Sequence, residues 1–206
     1  MKKKIGIMGG TFDPIHIGQL IIAEKAYEQF DLQQIRFMPA GNPPHKQDRK
    51  RQTTDEQRIE MVRRAIAGNP HFALSLEDMK PDEYSYTFRT LERLKEQNPD
   101  EEYYFIIGGD SLFEFDHWRN PDRICHSAII LAAGRNSVAR SEVEDQIAYL
   151  SEKYQGEVHL IDVPDLNISS SMLRDWIQSS DTFRYYVPEP VYEYIIEQKL
   201  YQLEEA

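Results

Sequence analysis

The sequence predicts an α/β fold of the Rossmann-like, doubly wound kind: a mostly parallel sheet with helices on both faces. Three observations predict it. Strand-like apolar runs alternate with helical stripes about six times along the 206 residues. Two of the strands run straight into a glycine pair, "KIGIMGG" from Lys4 and "YYFIIGGD" ending at Asp110. No repeat, low-complexity tract or long linker interrupts the alternation, so the chain reads as one domain, 1–206, with a small helical C-terminal part from about residue 168.

The elements follow in order. Residues 4–8 form a short buried strand stopped by Gly9 and Gly10. Leu20, Ala23, Tyr27 and Phe30 lie on one helical stripe across residues 18–30. Residues 35–39 are a second strand, ended by "AGNPP". Thr53 and Thr54 stand three residues before Glu56 and Gln57, a capping-box spacing. The helix it predicts has Ile59, Val62 and Ile66 inward and ends at Gly68-Asn69-Pro70. Residues 72–76 alternate as a third strand, and "DEYSY" is a loop. Residues 87–97 are helical, with Phe88, Leu91 and Leu94 on one face and Asn98-Pro99 as the stop. A fourth strand runs to the second glycine pair, and residues 129–132 make a fifth. Ser141 with Glu144 predicts another capping box, opening a stripe of Val143, Ile147 and Leu150 that ends near Gly156. "VHLIDVP" from Val158 is the last strand. Residues 168–178 form a helix with a serine-rich start, and "PEPVYEYIIEQKLY" is a closing helix with proline in its first turn.

Composition narrows the function. The net charge of −11 disfavours nucleic acid as a partner, because a phosphate backbone needs a positive face. "HKQDRKR", residues 45–51, is a local exception and reads as a polar loop suited to covering a substrate. No apolar run approaches the ~20 residues that span a bilayer. The single cysteine, Cys125, excludes an internal disulfide and a cysteine-cluster metal site. A cytoplasmic location and no membrane partner are the expectation. The sequence leaves open assembly into a homo-oligomer.

Two segments carry chemistry. After the first strand, "GGTFDPIHIGQ" puts glycines where backbone N–H groups can approach an anion and then starts a helix, whose N-terminus is positive. His16 and Gln19 share one face of that start, with Gly18 leaving space between them. The pattern is neither G-x-G-x-x-G nor a P-loop. After the last strand, "ISSSMLR" offers Ser169, Ser170 and Ser171 as caps and hydroxyl donors, with Arg174 one turn on for a bidentate grip on phosphate. Either segment alone reads more readily as an ordinary turn or cap. Both follow parallel strands, and together they form a matched pair of phosphate-type helix starts.

That pair resembles the (H/T)xGH and ISSTxxR signatures of the nucleotidyltransferase superfamily. "NPPHK" at 42–46, "SYTF" at 85–88, "FIIGGDS" before "HW", and the closing "YIIEQKLY" narrow the resemblance to bacterial nicotinate-nucleotide adenylyltransferases, over residues 5–201. The resemblance implies transfer of the adenylyl group of ATP to nicotinate mononucleotide, giving deamido-NAD and pyrophosphate. It implies catalytic roles for His16, Gln19, Lys46 and Arg174. ATP would lie on Gly9, Gly10, Thr11, Phe12, His16, Gly18, Gly108, Asp110, Ile168, Ser169, Ser170 and Arg174. The nicotinate nucleotide would lie on His45, Lys46, Tyr86, Thr87 and Trp118, with acid preferred over amide, and Phe88 is read as core. Mg²⁺ would be held mainly by ATP phosphates, without a protein metal site. Two positions depart from the family pattern. Gln19 stands where the second His belongs and cannot carry an imidazolium charge, and Ser171 replaces a Thr while keeping the hydroxyl. The rivals are a phosphopantetheine adenylyltransferase, which lacks the PPHK and SYTF segments, and a binding-only sensor, which Gln19 alone favours.

Overall fold

The computed structural model describes residues 2–41, 52–80, 84–134, 138–164 and 166–202. Its six strands form one all-parallel sheet in the order β3-β2-β1-β4-β5-β6. They are β1 (Lys3–Gly10), β2 (Gln34–Pro39), β3 (Phe72–Leu74), β4 (Glu101–Ile107), β5 (Ile129–Ala133) and β6 (Val158–Ile161). The helices are α1 (Ile17–Gln29), α2 (Asp55–Ile66), α3 (Thr87–Gln97), α4 (Gly109–Phe113), α5 (Pro121–Ser127), α6 (Arg140–Tyr154), α7 (Ser170–Gln178) and α8 (Glu189–Glu197). The chain reverses direction across the sheet between β1 and β4, where Met8 pairs with Ile106. The two glycine turns therefore leave from adjacent strand ends, at the crevice where doubly wound sheets bind ligands.

Two apolar clusters cover the sheet. One face packs Ala23 and Ala26 of α1, Met61 and Val62 of α2, Leu173 of α7 and Ile195 of α8 against Ile35, Phe37 and Ile106. The other packs Leu91 of α3, Leu112 of α4, Ile124 of α5 and Leu150 of α6 against Ile7, Phe105 and Ile130. Strands covered on both faces need continuous apolar runs, which is why "YYFII" could be read as a strand.

The differences from the sequence reading have local causes. The five-residue α4 and seven-residue α5 are too short to show a stripe, and neither was predicted. The second capping box does not form: α6 starts at Arg140 with Ala139 as its cap, so Ser141 lies inside the helix. In α2 it is Thr54 that caps, accepting from the Gln57 N–H while the Gln57 side chain accepts from the Thr54 N–H. The fully buried position expected of Ile59 belongs instead to its neighbour Arg58. The closing helix stops at Glu197 because Lys199 turns left-handed (φ 50°). Leu200 then donates back to the Ile195 carbonyl and Lys199 to that of Ile196, the paired bonds of a Schellman turn. That turn folds Leu200 and Tyr201 back into the core.

Candidate active site

The two motif segments meet in space. Ser170 Oγ donates to the Pro14 carbonyl at 2.9 Å, and Arg174 Nη1 donates to the Asp13 carbonyl at 2.6 Å. A Cβ on Gly18 would lie 3.7 Å from the Cβ of Ile168. The helix starts of α1 and α7 thus sit side by side at the carboxyl end of β1. Ser169 caps α7, accepting from the Met172 N–H, and its hydroxyl lies 3.1 Å from that of Ser171. Among the described residues Arg174 makes no hydrogen bond beyond that to the Asp13 carbonyl, so Nε and Nη2 stay available to a ligand.

His16 is the N-cap of α1, with extended backbone and a buried ring. Its Nδ1 is enclosed yet has no hydrogen-bond partner among the described residues. Burial pushes the imidazole down to about 4, so the ring is neutral at pH 7. Without a ligand, His16 therefore brings a neutral ring rather than a positive charge to the start of α1. Gln19 differs from expectation too. Its Oε1 turns back to accept the His16 backbone N–H at 3.1 Å, which closes the first turn of α1. Nor is Gly18 open ligand space: a Cβ there would meet the His16 ring at 3.1 Å.

The remaining loop residues divide between ligand edge and core. A Cβ on Gly9 would press on the Phe105 ring and one on Gly10 on the Phe12 ring, each at 3.2 Å. Phe12 itself takes a left-handed backbone (φ 52°), and its side chain is buried against Phe37. The Phe12 side chain is thus part of the core, which leaves its backbone as the part that can border the crevice. Thr11 is held by its carbonyl, which accepts from Arg58 Nη1 at 2.6 Å. Gly108 caps α4 with nothing crowding its Cα, and Asp110 is exposed in that helix's first turn.

A second group flanks the crevice from α3 and the turn after α4. Tyr86 caps α3 and Thr87 opens it, both half-buried, while Phe88 is core as read. Tyr86 packs near Tyr84 and Phe88. Trp118 ends a 3-10 turn (Phe115–His117), half-buried against Phe105 and Phe115. Tyr86 and Trp118 pack on the same apolar cluster. His45 and Lys46, with the rest of the basic loop, lie outside the described residues.

Sequence reasoning missed four residues that hold the site. Arg58, wholly buried, ties the Thr11 and Ala40 carbonyls and Asp55 together. Its signal was a charge on α2's inward stripe with Met61 and Val62. Asp13 Oδ1 accepts from Thr53 Oγ1 at 2.6 Å and from the Tyr201 hydroxyl at 2.7 Å. Nothing local in the sequence marks that convergence.

The cytidylyltransferase-like family model matches residues 7–175, which span both motif segments. A relative from Lachnoclostridium phytofermentans named "probable nicotinate-nucleotide adenylyltransferase" is 42% identical over 97% of this chain and 99% of its own length. One of the same name from Carboxydothermus hydrogenoformans is 36% identical over 97% of this chain and 98% of its own. The fold is shared with the Plasmodium falciparum nicotinic acid mononucleotide adenylyltransferase solved with NaAD, at TM-score 0.78 and 21% identity, with 97% of each chain covered. Matches of this length and identity place the chain in the cytidylyltransferase-like family and, within it, among the nicotinate-nucleotide adenylyltransferases.

Proposed function

We propose that this chain, as a single catalytic domain closed by its helical C-terminal part, transfers the adenylyl group of ATP to nicotinate mononucleotide. The observation that carries the reading is the convergence of the α1 and α7 starts, with Ser170 on Pro14 and Arg174 on Asp13. Two helix N-termini, serine hydroxyls, a guanidinium with free donors and an unsatisfied imidazole nitrogen form a donor set matched to phosphate oxygens. An oxygen of the mononucleotide phosphate attacks the α-phosphorus of ATP. The bond from that phosphorus to the bridging oxygen breaks, and pyrophosphate leaves. No covalent enzyme intermediate is required. Catalysis is alignment of the two phosphates plus stabilisation of charge on the departing one.

In this reading Arg174 and the serines of α7 grip the β/γ end. His16 donates to the α-phosphate region as a neutral ring, and the ATP charge raises its proton affinity on binding. Tyr86, Thr87 and Trp118 take the pyridine ring and its carboxylate, with His45 beside them and Lys46 bringing further positive charge. Gln19 acts on the chemistry by shaping the α1 start that carries His16.

A divalent cation, Mg²⁺ in our reading, neutralises the triphosphate when bound. Among the described residues no three His, Cys, Asp or Glu side chains sit together to hold a metal ion. The donor set just described suits anionic oxygens, so the cation would ride on ATP. No described helix is long and apolar enough to cross a membrane. The decisive experiment measures pyrophosphate release from ATP with nicotinate mononucleotide, nicotinamide mononucleotide or phosphopantetheine as acceptor. Turnover with the first and a lower kcat/KM for the second are expected. Equal use of acid and amide would overturn the acceptor assignment, and preference for phosphopantetheine would overturn the family reading.

A further inference from the structure

Asp13 presents a puzzle. It is a buried carboxylate at the lip of a site built for phosphates, where a negative charge repels the ligand. Its two ends do different things. The carboxylate Oδ1 accepts from Thr53 and Tyr201, at 2.6 and 2.7 Å, and both donors are themselves buried. The backbone carbonyl of the same residue accepts from Arg174. The side chain is thus the fixed end, and the carbonyl is the end that aims the guanidinium.

The donors come from distant elements. Thr53 precedes the α2 cap, and Tyr201 lies 188 positions along the chain from Asp13. The Schellman turn after α8 puts Tyr201 there, with its own backbone left-handed at φ 65°. Burial first, and the Asp13 charge second, push the Tyr201 phenol far above its ordinary range. It therefore stays a donor at any working pH, and the bond has one polarity. A hydrogen bond from a neutral hydroxyl to a carboxylate is of the stronger kind.

We infer that Asp13 is a positioning residue that aims Arg174, and that the Tyr201 and Thr53 hydroxyls lock it, making the turn after α8 part of the nucleotide site without touching substrate. This rests on the reading of Arg174 as the triphosphate grip.

The test uses the full chain with Tyr201→Phe, Thr53→Val, Thr53→Ser, Arg174→Ala and the double variant Tyr201→Phe/Arg174→Ala. ATP affinity is measured by calorimetry, which needs no acceptor nucleotide, and steady-state constants and Tm are measured beside it. Tyr201→Phe and Thr53→Val should each weaken ATP binding about tenfold, the equivalent of one charge-assisted hydrogen bond. KM for nicotinate mononucleotide should stay within about twofold, and Thr53→Ser should recover what Thr53→Val loses. In the double variant the Tyr201 loss should vanish, because the effect passes through Arg174. A lower Tm with unchanged ATP affinity would overturn the inference, as would additive losses in the double variant. If Arg174→Ala itself leaves ATP affinity intact, the parent reading of Arg174 falls, and the positioning role falls with it. Should Tyr201→Phe fail to fold, the Thr53 pair decides the same question.

Discussion

The His16 imidazole is pushed down to about 4 by burial, while in an unfolded chain it titrates near 6.5. Between those values the unfolded chain holds a proton that the folded chain does not. Stability therefore falls as pH drops through that window, by roughly 3 kcal/mol in all, and the effect is absent above it. His16→Gln should flatten this part of the curve. Urea unfolding of both proteins at pH 7, 6, 5 and 4.5 checks it: wild-type stability should fall more steeply with acid than the variant's, and parallel curves would show a solvated ring. Gln19 sets a second expectation. Its side-chain oxygen satisfies the His16 N–H, so Gln19→Leu leaves that donor orphaned, costs about 1 kcal/mol and lowers turnover by misplacing His16. Gln19→His keeps an acceptor in reach and should keep turnover from pH 6 to 8. Steady-state kinetics showing a large loss for the His variant at every pH would mean that the amide acts on phosphate itself.

Elements follow the same logic around Trp118, on the proposed acceptor side. The 3-10 turn that delivers Trp118 is bolted to α6 through Asp116. Its carboxylate accepts from Tyr149, Lys153 and Tyr154 at 2.9, 2.8 and 2.6 Å. The Lys153 ammonium, with the Tyr154 hydroxyl next, holds Asp116 down at about 2, so the bolt is charged throughout the working range. Asp116→Ala should free the turn, raise KM for nicotinate mononucleotide several-fold and leave KM for ATP unchanged. A red shift of Trp118 emission should accompany it, read in a Trp176→Phe background, since Trp118 and Trp176 are the chain's two tryptophans. Unchanged emission and KM would show that Phe105 and Phe115 alone seat the ring. This scale also marks what the sequence could say. α1, α2 and α3 were legible because eleven to thirteen residues suffice for a stripe. Helix stops were less legible: Asp31, Gln155, Ser180 and Lys199 occupy left-handed positions at helix ends where glycine is the usual signal. The α6 stop, sought at Gly156, is Gln155.

Across the whole molecule, the two motif segments could be read because each is contiguous, whereas the lock at Asp13 joins residues 40 and 188 positions away. Contacts of that range leave no periodic trace in sequence. The parallel sheet also separates duties by the two ends of its strands. Ligand-facing loops leave the carboxyl ends, and the opposite end carries a stabilising network of Arg36, Glu101 and Tyr103. Arg36 grips Glu101 bidentately at 2.7 and 2.5 Å, joining β2 to β4 across β1, and the Tyr103 hydroxyl donates to the same carboxylate at 2.6 Å. Burial would raise the Glu101 carboxyl, but these two donors outweigh it and hold it below the usual range. Its contribution is therefore present above the ordinary glutamate pKa and is lost as pH falls through the lowered one. Glu101→Ala leaves the largely enclosed Arg36 guanidinium without a counter-charge, holding only the Gln34 side-chain oxygen. It should cost about 3 kcal/mol at neutral pH, a Tm drop of roughly 6–12 °C for a chain of this size. Because Glu101 opens β4 while the site lies beyond Ile107 at its other end, kcat and both KM values of the folded variant should match wild type at 20 °C. Calorimetric unfolding beside steady-state kinetics decides the matter. A loss of turnover in fully folded Glu101→Ala would mean that strain at one end of the strands reaches the loops at the other.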